Sequence, residues 1–339
     1  MRNVAIVGLG KMGILHAGIV NSFPDTRVKA ICEKNALLVK LARKLLPKEI
    51  TFYDDHMRMV EEEALDIVFL TTPISTHVPM AVDLARANSE LSLFVEKPLA
   101  ASVTEARTAC EAVTNLRGMH MVGFQKRHSP VFRMAKQVIE NGSLGELMFF
   151  RSYTFSSDVL REGKAWRFRS GTGGVLLDLA PHLLDLLLWL FGEPQSVLGV
   201  TRQIYSKGVE DYVHAILSFA SGLKGHMDAS WSVPSFRLPE VSIEVNGTEG
   251  SMRVTDDFIR LERNDESALG SRSMEVHYKQ SFDTSVSFLL ADPEYTKEDE
   301  VFFDSVKRRA LPESNFFEAM KVNAIIDRIT KKAESDDIC

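Results

Sequence analysis

The feature that most constrains the fold of this chain is an apolar run that leads directly into three spaced glycines. Residues 4–7 are all apolar, as in a strand buried on both faces of a parallel sheet. Gly8, Gly10 and Gly13 follow with GxGxxG spacing, and an apolar helical pattern then continues to Phe23. This order predicts a site for dinucleotide phosphates, because the amino end of a helix presents free N–H groups and a positive dipole.

The three glycines have separate steric roles. The first allows a tight turn, the second lets the backbone approach a pyrophosphate, and the third lets the helix pack against its strand. A second strand, residues 28–32, ends at Glu33, 20 residues after Gly13, where a carboxylate can accept hydrogen bonds from an adenosine ribose. Glu33 would also repel a 2′-phosphate, which favours NAD over NADP, although Lys34 could soften the discrimination. A bare strand–turn–helix corner is the alternative.

Length and composition indicate a two-domain globular protein. The chain has 339 residues, of which 45% are hydrophobic and 25% charged, which is ordinary for such proteins. A net charge of −6 argues against a nucleic-acid partner. Three cysteines without CxxC spacing argue against a disulfide framework and a zinc site, and they favour a reducing compartment.

No segment has the pattern of a targeting or membrane-spanning sequence. The first strand follows directly on residues 1–3, which leaves no room for a signal peptide. The most apolar later run, residues 175–191, is interrupted by Asp178, His182 and Asp185. We therefore expect no membrane partner and a cytoplasmic location.

Strands and helices alternate over residues 1–124, which predicts a dinucleotide-binding Rossmann domain with a parallel, doubly wound sheet. Asn35, Asp54 and Ser102 are the predicted N-caps of three of its helices. The predicted strands are residues 4–7, 28–32, 50–53, 65–70, 91–95 and 119–123.

Residues 125–312 change to long strands joined by turn signals, which predicts a substrate and oligomerisation domain of α+β type with a large, mostly antiparallel, open-faced sheet. Its predicted strands are residues 146–155, 197–204, 212–219, 223–231 and 241–246, and its last helix is residues 298–308. Residues 313–339 are expected to form a C-terminal helix that packs toward the first domain. If Val213, Ala215 and Leu217 line the open face, its burial would give a homodimer or homotetramer.

Three motifs in order resemble the signatures of the Gfo/Idh/MocA oxidoreductase family, which includes inositol dehydrogenases. They are the glycine turn, the triplet Glu96-Lys97-Pro98, and the segment 173–178 followed by His182 and Asp185. The resemblance covers most of the chain. It implies an NAD(P)-dependent oxidoreductase that transfers a hydride between nicotinamide and a secondary hydroxyl or ketone of a sugar, cyclitol or related polyol.

The resemblance assigns the catalytic roles to Lys97, Asp178 and His182. Lys97 ends the fifth parallel strand, at the edge where open sheets bind ligands, and its ammonium could stabilise an alkoxide. His182 is the better general base, because its ordinary pKa lies near neutrality, and Asp178 would orient it or bind a neighbouring hydroxyl. The alternative for Lys97 is a surface lysine paired with Glu96, and the alternative for Asp178 and His182 is a polar capping or core pair. Asp185 is expected to be structural or to support the site residues without contacting the substrate.

Two residues depart from the family pattern. Thr172 replaces the first of three glycines, and Pro181 lies between the two candidates Asp178 and His182. A proline inside a helix loses one backbone hydrogen bond. A helix that begins at Leu179 under an Asp178 cap would avoid this loss, so the mutual geometry of the pair stays open.

Further candidates follow from their place at strand ends or beside the glycine-rich segment. We expect the cofactor to contact Gly8, Gly10, Lys11, Met12, Gly13, Glu33, Thr72, Pro73, His77, Glu96, Lys97 and Gln125. His77 could instead cap its helix. The expected substrate contacts are Lys97, Arg127, Trp166, Arg167, Arg169, Asp178 and His182. No metal is expected, because the histidines lack ligand spacing.

Two other functions fit the same resemblance. A dinucleotide-binding sensor would need no base, so the presence of all three polar candidates argues against it. An NAD-retaining glycosidase that uses transient oxidation is the second alternative.

Overall fold

The computed structural model describes residues 1–162, 173–264, 272–283 and 285–336, which divide into two compact units. The first unit comprises Met1–Gln125 and Ser285–Asn323. The second comprises the described residues 126–283 and 324–336. The predicted Trp166, Arg167, Arg169 and Thr172 lie outside the described residues.

The first unit contains a six-stranded sheet with the order β3-β2-β1-β4-β5-β6. All its neighbouring strands are parallel, so the predicted Rossmann architecture is confirmed. The strands are β1 (Arg2–Val7), β2 (Thr26–Cys32), β3 (Thr51–Tyr53), β4 (Ile67–Leu70), β5 (Ser92–Glu96) and β6 (His120–Gly123). The helices between them are α1 (Lys11–Ser22), α2 (Ala36–Leu45), α3 (His56–Glu62), α4 (Ile74–Ala87) and α5 (Val103–Val113).

Side-chain caps begin three of these helices. Asn35 caps α2 and Ser102 caps α5, as predicted. The predicted cap Asp54 is wrong by one residue: the carboxylate of Asp55 accepts from the backbone N–H groups of Met57 and Arg58. Both aspartates precede the helix, and the sequence pattern does not distinguish them.

The second unit contains a sheet whose eight described strands have the order β14-β13-β12-β11-β7-β10-β9-β8. Its neighbours are antiparallel except for the parallel pair β7 and β10, so a mostly antiparallel sheet is confirmed. The strands are β7 (Leu147–Phe155), β8 (Ser196–Arg202), β9 (Tyr212–Ser218), β10 (Lys224–Ser230), β11 (Glu240–Gly247), β12 (Gly250–Thr255), β13 (Phe258–Asn264) and β14 (Arg272–Tyr278). The helices are α6 (Pro130–Glu140), α7 (Val175–Asp178) and α8 (Ala180–Phe191).

The face assigned to the predicted interface residues is wrong. Val213, Ala215 and Leu217 are completely buried. Successive strand residues point to opposite faces, so the more exposed face of β9 carries His214 and Ile216 instead. The alternation of side chains along β9 was predicted correctly. The sequence did not show whether its odd-numbered or its even-numbered residues face the helices.

Two helices close the chain, α9 (Pro293–Arg308) and α10 (Phe316–Asp336). α9 begins five residues before its predicted start at Glu298 and belongs to the first unit, where Phe302 packs against Phe69 and Phe94. The sequence grouped residues up to 312 with the second sheet, whereas residues from Ser285 to 312 belong to the first unit. Among the helices that the structure describes, none has the length and apolar character needed to cross a membrane.

Candidate active site

The glycine turn after β1 is fixed by backbone packing. Gly8 has a φ of 93°, a conformation that residues with a Cβ rarely adopt, and its N–H donates to the carbonyl of Cys32 at 2.8 Å. A Cβ on Gly13 would lie 1.9 Å from the carbonyl oxygen of Gly8. These two positions therefore require glycine whether or not a ligand binds.

Gly10 requires a different explanation. It is the N-cap residue of α1, its φ of −73° suits any residue, and a Cβ there would meet nothing within 4 Å. In the described part of the chain, no side chain caps this helix end. The open space beside Gly10 and the amino end of α1 fit the phosphates of a dinucleotide, with Lys11 and Met12 in the first turn.

Glu33, the predicted ribose ligand, follows β2 and is held by two backbone N–H groups. One oxygen of its carboxylate accepts from the N–H of Leu9 at 2.7 Å, and the other accepts from the N–H of Asn35 at 2.7 Å. The carboxylate therefore lies against the glycine turn, and its charge stays near the expected position of the adenosine ribose.

Lys97 follows β5 at the carboxyl edge of the same sheet, and buried groups hold the turn on both sides of it. Glu96 accepts from the backbone N–H of Lys97 at 3.2 Å. His77 is buried, and its two ring nitrogens lie 2.9 Å from the Pro98 carbonyl and 2.8 Å from the Thr72 carbonyl. Burial outweighs these hydrogen bonds and lowers the pKa of His77. His77 thus links the turn after β4, which contains Thr72, to the turn after β5, which contains Lys97. Pro73, the N-cap of α4, is exposed.

Gln125 has a partner that sequence reasoning missed. Its amide donates to the hydroxyl of Tyr295 in α9 at 3.3 Å. Burial, followed by the charge of Glu96, raises the pKa of Tyr295, so its hydroxyl stays protonated at neutral pH. The hydroxyl of Tyr295 therefore lies near the edge that carries Lys97, although 170 residues separate Tyr295 from Gln125. No local pattern indicated this contact.

In the second unit, the glycine pair before α7 makes room for an acid. Gly173 has a φ of 81°, and a Cβ on Gly174 would lie 2.3 Å from the carboxylate of Glu210. That carboxylate accepts from the N–H of Leu176 at 2.9 Å, and the Glu210 carbonyl accepts from the N–H of Val175 at 3.0 Å. Burial raises the pKa of Glu210. Glu210, which the sequence analysis did not single out, therefore holds the start of the segment that carries Asp178.

Asp178 and His182 occupy two short consecutive helices. Asp178 is the last residue of α7, and His182 is in the first turn of α8, where Pro181 needs no intrahelical bond. The proposed cap by Asp178 is wrong, because Leu179 precedes α8 without any side-chain cap. Asp178 is half-buried and His182 is buried.

Arg127 forms a buried ion pair with Asp185. Its Nε donates to one carboxylate oxygen at 2.7 Å and its Nη2 to the other at 2.6 Å. Asp185 lies one helical turn after His182, so this fork-shaped contact fixes α8 and the histidine on it. The structure thus shows the Arg127 side chain bound to Asp185 of α8, whereas Arg127 was predicted to contact the substrate.

Comparison with known proteins gives the family. Residues 2–124 match the family model described as "Oxidoreductase family, NAD-binding Rossmann fold", and residues 132–253 match "GFO/IDH/MocA C-terminal domain". The scyllo-inositol 2-dehydrogenase (NAD(+)) of Bacillus subtilis is 30% identical over 73% of this chain and 72% of its own length. The chain belongs to the Gfo/Idh/MocA oxidoreductase family.

Other members of the family are also similar to this chain in sequence and in structure. Levoglucosan dehydrogenase of Pseudarthrobacter phenanthrenivorans is 28% identical over 78% of this chain and 75% of its own length. A solved levoglucosan dehydrogenase in complex with NADH has a TM-score of 0.87 over 99% of this chain and 97% of that chain, at 23% identity, and so shares the fold. The resemblance drawn from the three motifs is confirmed, and residues 2–124 of the first unit form the NAD-binding Rossmann domain of an oxidoreductase.

Proposed function

We propose that this family member is an NAD-dependent dehydrogenase that acts on a secondary hydroxyl of a cyclitol, sugar or related polyol. The observation that carries the proposal is the place of Lys97: its turn ends β5 at the carboxyl edge that also carries the glycine turn. Relatives named for scyllo-inositol and levoglucosan support the substrate class.

The proposed mechanism gives each of three residues one task. Bound NAD would supply the hydride acceptor. His182 removes the hydroxyl proton, since an imidazole has an ordinary pKa near neutrality. Lys97 stabilises the negative charge that develops on the oxygen. Asp178 orients the histidine or binds a neighbouring hydroxyl, and Glu210 and Asp185 hold the helices that carry the pair.

The test is steady-state absorbance of reduced nicotinamide with a panel of scyllo-inositol, myo-inositol, levoglucosan and aldoses. We expect NAD reduction with at least one of them. If the protein binds NADH but reduces NAD with no member of the panel, the sensor is favoured. Cleavage of a glycoside without net NAD reduction would favour the glycosidase.

We further propose that two copies associate in the cytoplasm through the more exposed face of the second sheet. Leu198 and Ile216 are partners across β8 and β9 on this face and are 45% and 44% exposed. Arg151, Glu244 and Arg253 follow one another across β7, β11 and β12, so the face offers both signs of charge to a second copy. Light scattering at micromolar concentration should show a dimer or tetramer that Ile216→Glu weakens. A monomeric wild-type protein would contradict this arrangement.

A further inference from the structure

His16 is a histidine where the helix pattern calls for an apolar residue. The buried residues of α1 include Gly13, His16, Ala17 and Val20, which have the spacing of one helical stripe, and Leu15 and Ile19 beside them. The His16 side chain is completely buried, and its ring packs against Phe69 and Phe94. A buried polar ring within an apolar stripe requires hydrogen-bond partners.

Two carboxylates supply those partners from opposite sides. Nε2 of His16 lies 3.0 Å from Glu96 Oε1, and Nδ1 lies 2.9 and 3.0 Å from the two oxygens of Asp299. Only the doubly protonated ring can donate in both directions. Burial lowers the pKa of His16, but the charges and hydrogen bonds of Asp299 and Glu96 outweigh it and hold the pKa well above its ordinary value.

His16, Glu298 and Asp299 bring ligand atoms within 4.8 Å of one another, so the ring and two acids form one buried cluster. In the structure both ring nitrogens face carboxylates, that of Asp299 on one side and that of Glu96 on the other.

The contact with Glu96 reaches the proposed catalytic turn. The carboxylate oxygen that does not face His16 accepts from the backbone N–H of Lys97. Glu96 therefore links His16 of α1, the helix that begins at the glycine turn, to the backbone nitrogen of Lys97. On the far side of the turn, Pro98 is held by His77, so the backbone of Lys97 is fixed at both ends.

We propose that His16 is a positioning residue for the dehydrogenase, holding Glu96 so that the Lys97 turn keeps a fixed place relative to the dinucleotide-binding helix. This inference rests on the proposed function and assigns Asp299 of α9 as the second anchor.

Two variants separate the contacts of the ring. In His16→Asn the amide can replace Nδ1 and keep the bond to Asp299, whereas in His16→Gln it can replace Nε2 and keep the bond to Glu96. His120→Asn is the matched control. His120 is also buried in the first unit, but it lies at the amino end of β6, away from the carboxyl edge of the sheet. Its Nδ1 accepts from the N–H of Phe316.

The first measurement needs no substrate. The rate of hydrogen–deuterium exchange of the Lys97 backbone amide, read by mass spectrometry, reports the bond that this N–H makes to Glu96. We expect exchange to speed up about tenfold in His16→Asn, which frees Glu96, the effect of one lost hydrogen bond. Exchange should stay near the wild-type rate in His16→Gln and His120→Asn. On a substrate found by the polyol panel, kcat of His16→Asn should fall by about 100-fold, the effect of a misplacement near 1 Å, with little change in KM.

The outcomes are distinct from those of the proposed function. If the wild-type protein is inert toward every polyol, the exchange rates of the Lys97 amide still decide the role of His16. A wild-type exchange rate in folded His16→Asn would overturn the inference, as would an equal change in His120→Asn. If neither His16 variant folds, Glu96→Ala decides, because it removes the acceptor of the Lys97 N–H; a wild-type exchange rate in that variant would overturn the inference.

Discussion

Replacing Gly10 by alanine should separate the space for a ligand from the packing of the protein. A Cβ at Gly10 meets nothing within 4 Å, whereas a Cβ at Gly13 would lie 1.9 Å from the Gly8 carbonyl. We expect Gly10→Ala to destabilise the protein by less than about 1 kcal/mol, as at other N-cap positions. Gly13→Ala should cost about 1–3 kcal/mol, because backbone atoms must move.

The effect on cofactor affinity should differ in the same pair. The methyl group of Gly10→Ala would fill part of the open space beside the amino end of α1, which we propose is the place of the pyrophosphate. A hydrogen bond to a charged group contributes about 1.5–3 kcal/mol, so the loss of one such bond should weaken NADH binding by roughly 10- to 150-fold. Calorimetric titration with NADH and thermal unfolding measure the two effects. Wild-type affinity in Gly10→Ala would refute the assignment of this turn as the phosphate site.

Three further predictions concern the cofactor acid, the buried ion pair and the buried histidine. The protein should bind NAD more tightly than NADP, and Glu33→Gln should reduce the ratio of the two affinities. Tighter binding of NADP than of NAD by the wild-type protein would contradict the role of Glu33. Asp185→Ala leaves Arg127 buried without its carboxylate, so urea unfolding should show a loss of about 3–5 kcal/mol. Because the folded pKa of His16 is raised, its stabilisation is complete below the unfolded pKa of about 6.5 and declines above it. The free energy of unfolding should therefore fall by up to about 1.4 kcal/mol per pH unit until the folded pKa is passed, and a similar slope in His16→Gln would contradict this.

Short-range signals predicted the fold and the cofactor turn well. The glycine turn, its preceding strand and the alternation of strands and helices depend on local spacing and on apolar runs, which are visible in the sequence. Local signals fail where two neighbours qualify equally, as with the cap at Asp55. They also fail to show which of the two faces of a strand is buried, as with Val213 and its neighbours in β9.

The supporting contacts of the site could not be predicted in the same way. Three supporting residues lie far in sequence from the segments that they contact, and no motif predicts these contacts. They are Glu210, Tyr295 and Asp299. Pro181 indicated the break between α7 and α8, but the structure was needed to show that Asp178 ends one helix and that His182 lies in the first turn of the next.

The most direct test of the proposed chemistry is the turnover of His182→Ala on whichever polyol the panel identifies, measured together with NADH affinity. A sensor needs the dinucleotide site but no base, so binding and turnover should separate in an enzyme that loses its base. We predict unchanged NADH affinity and a fall in turnover of about two to four orders of magnitude, the usual contribution of a general base. Undiminished turnover in His182→Ala would contradict the assignment of His182 as the base.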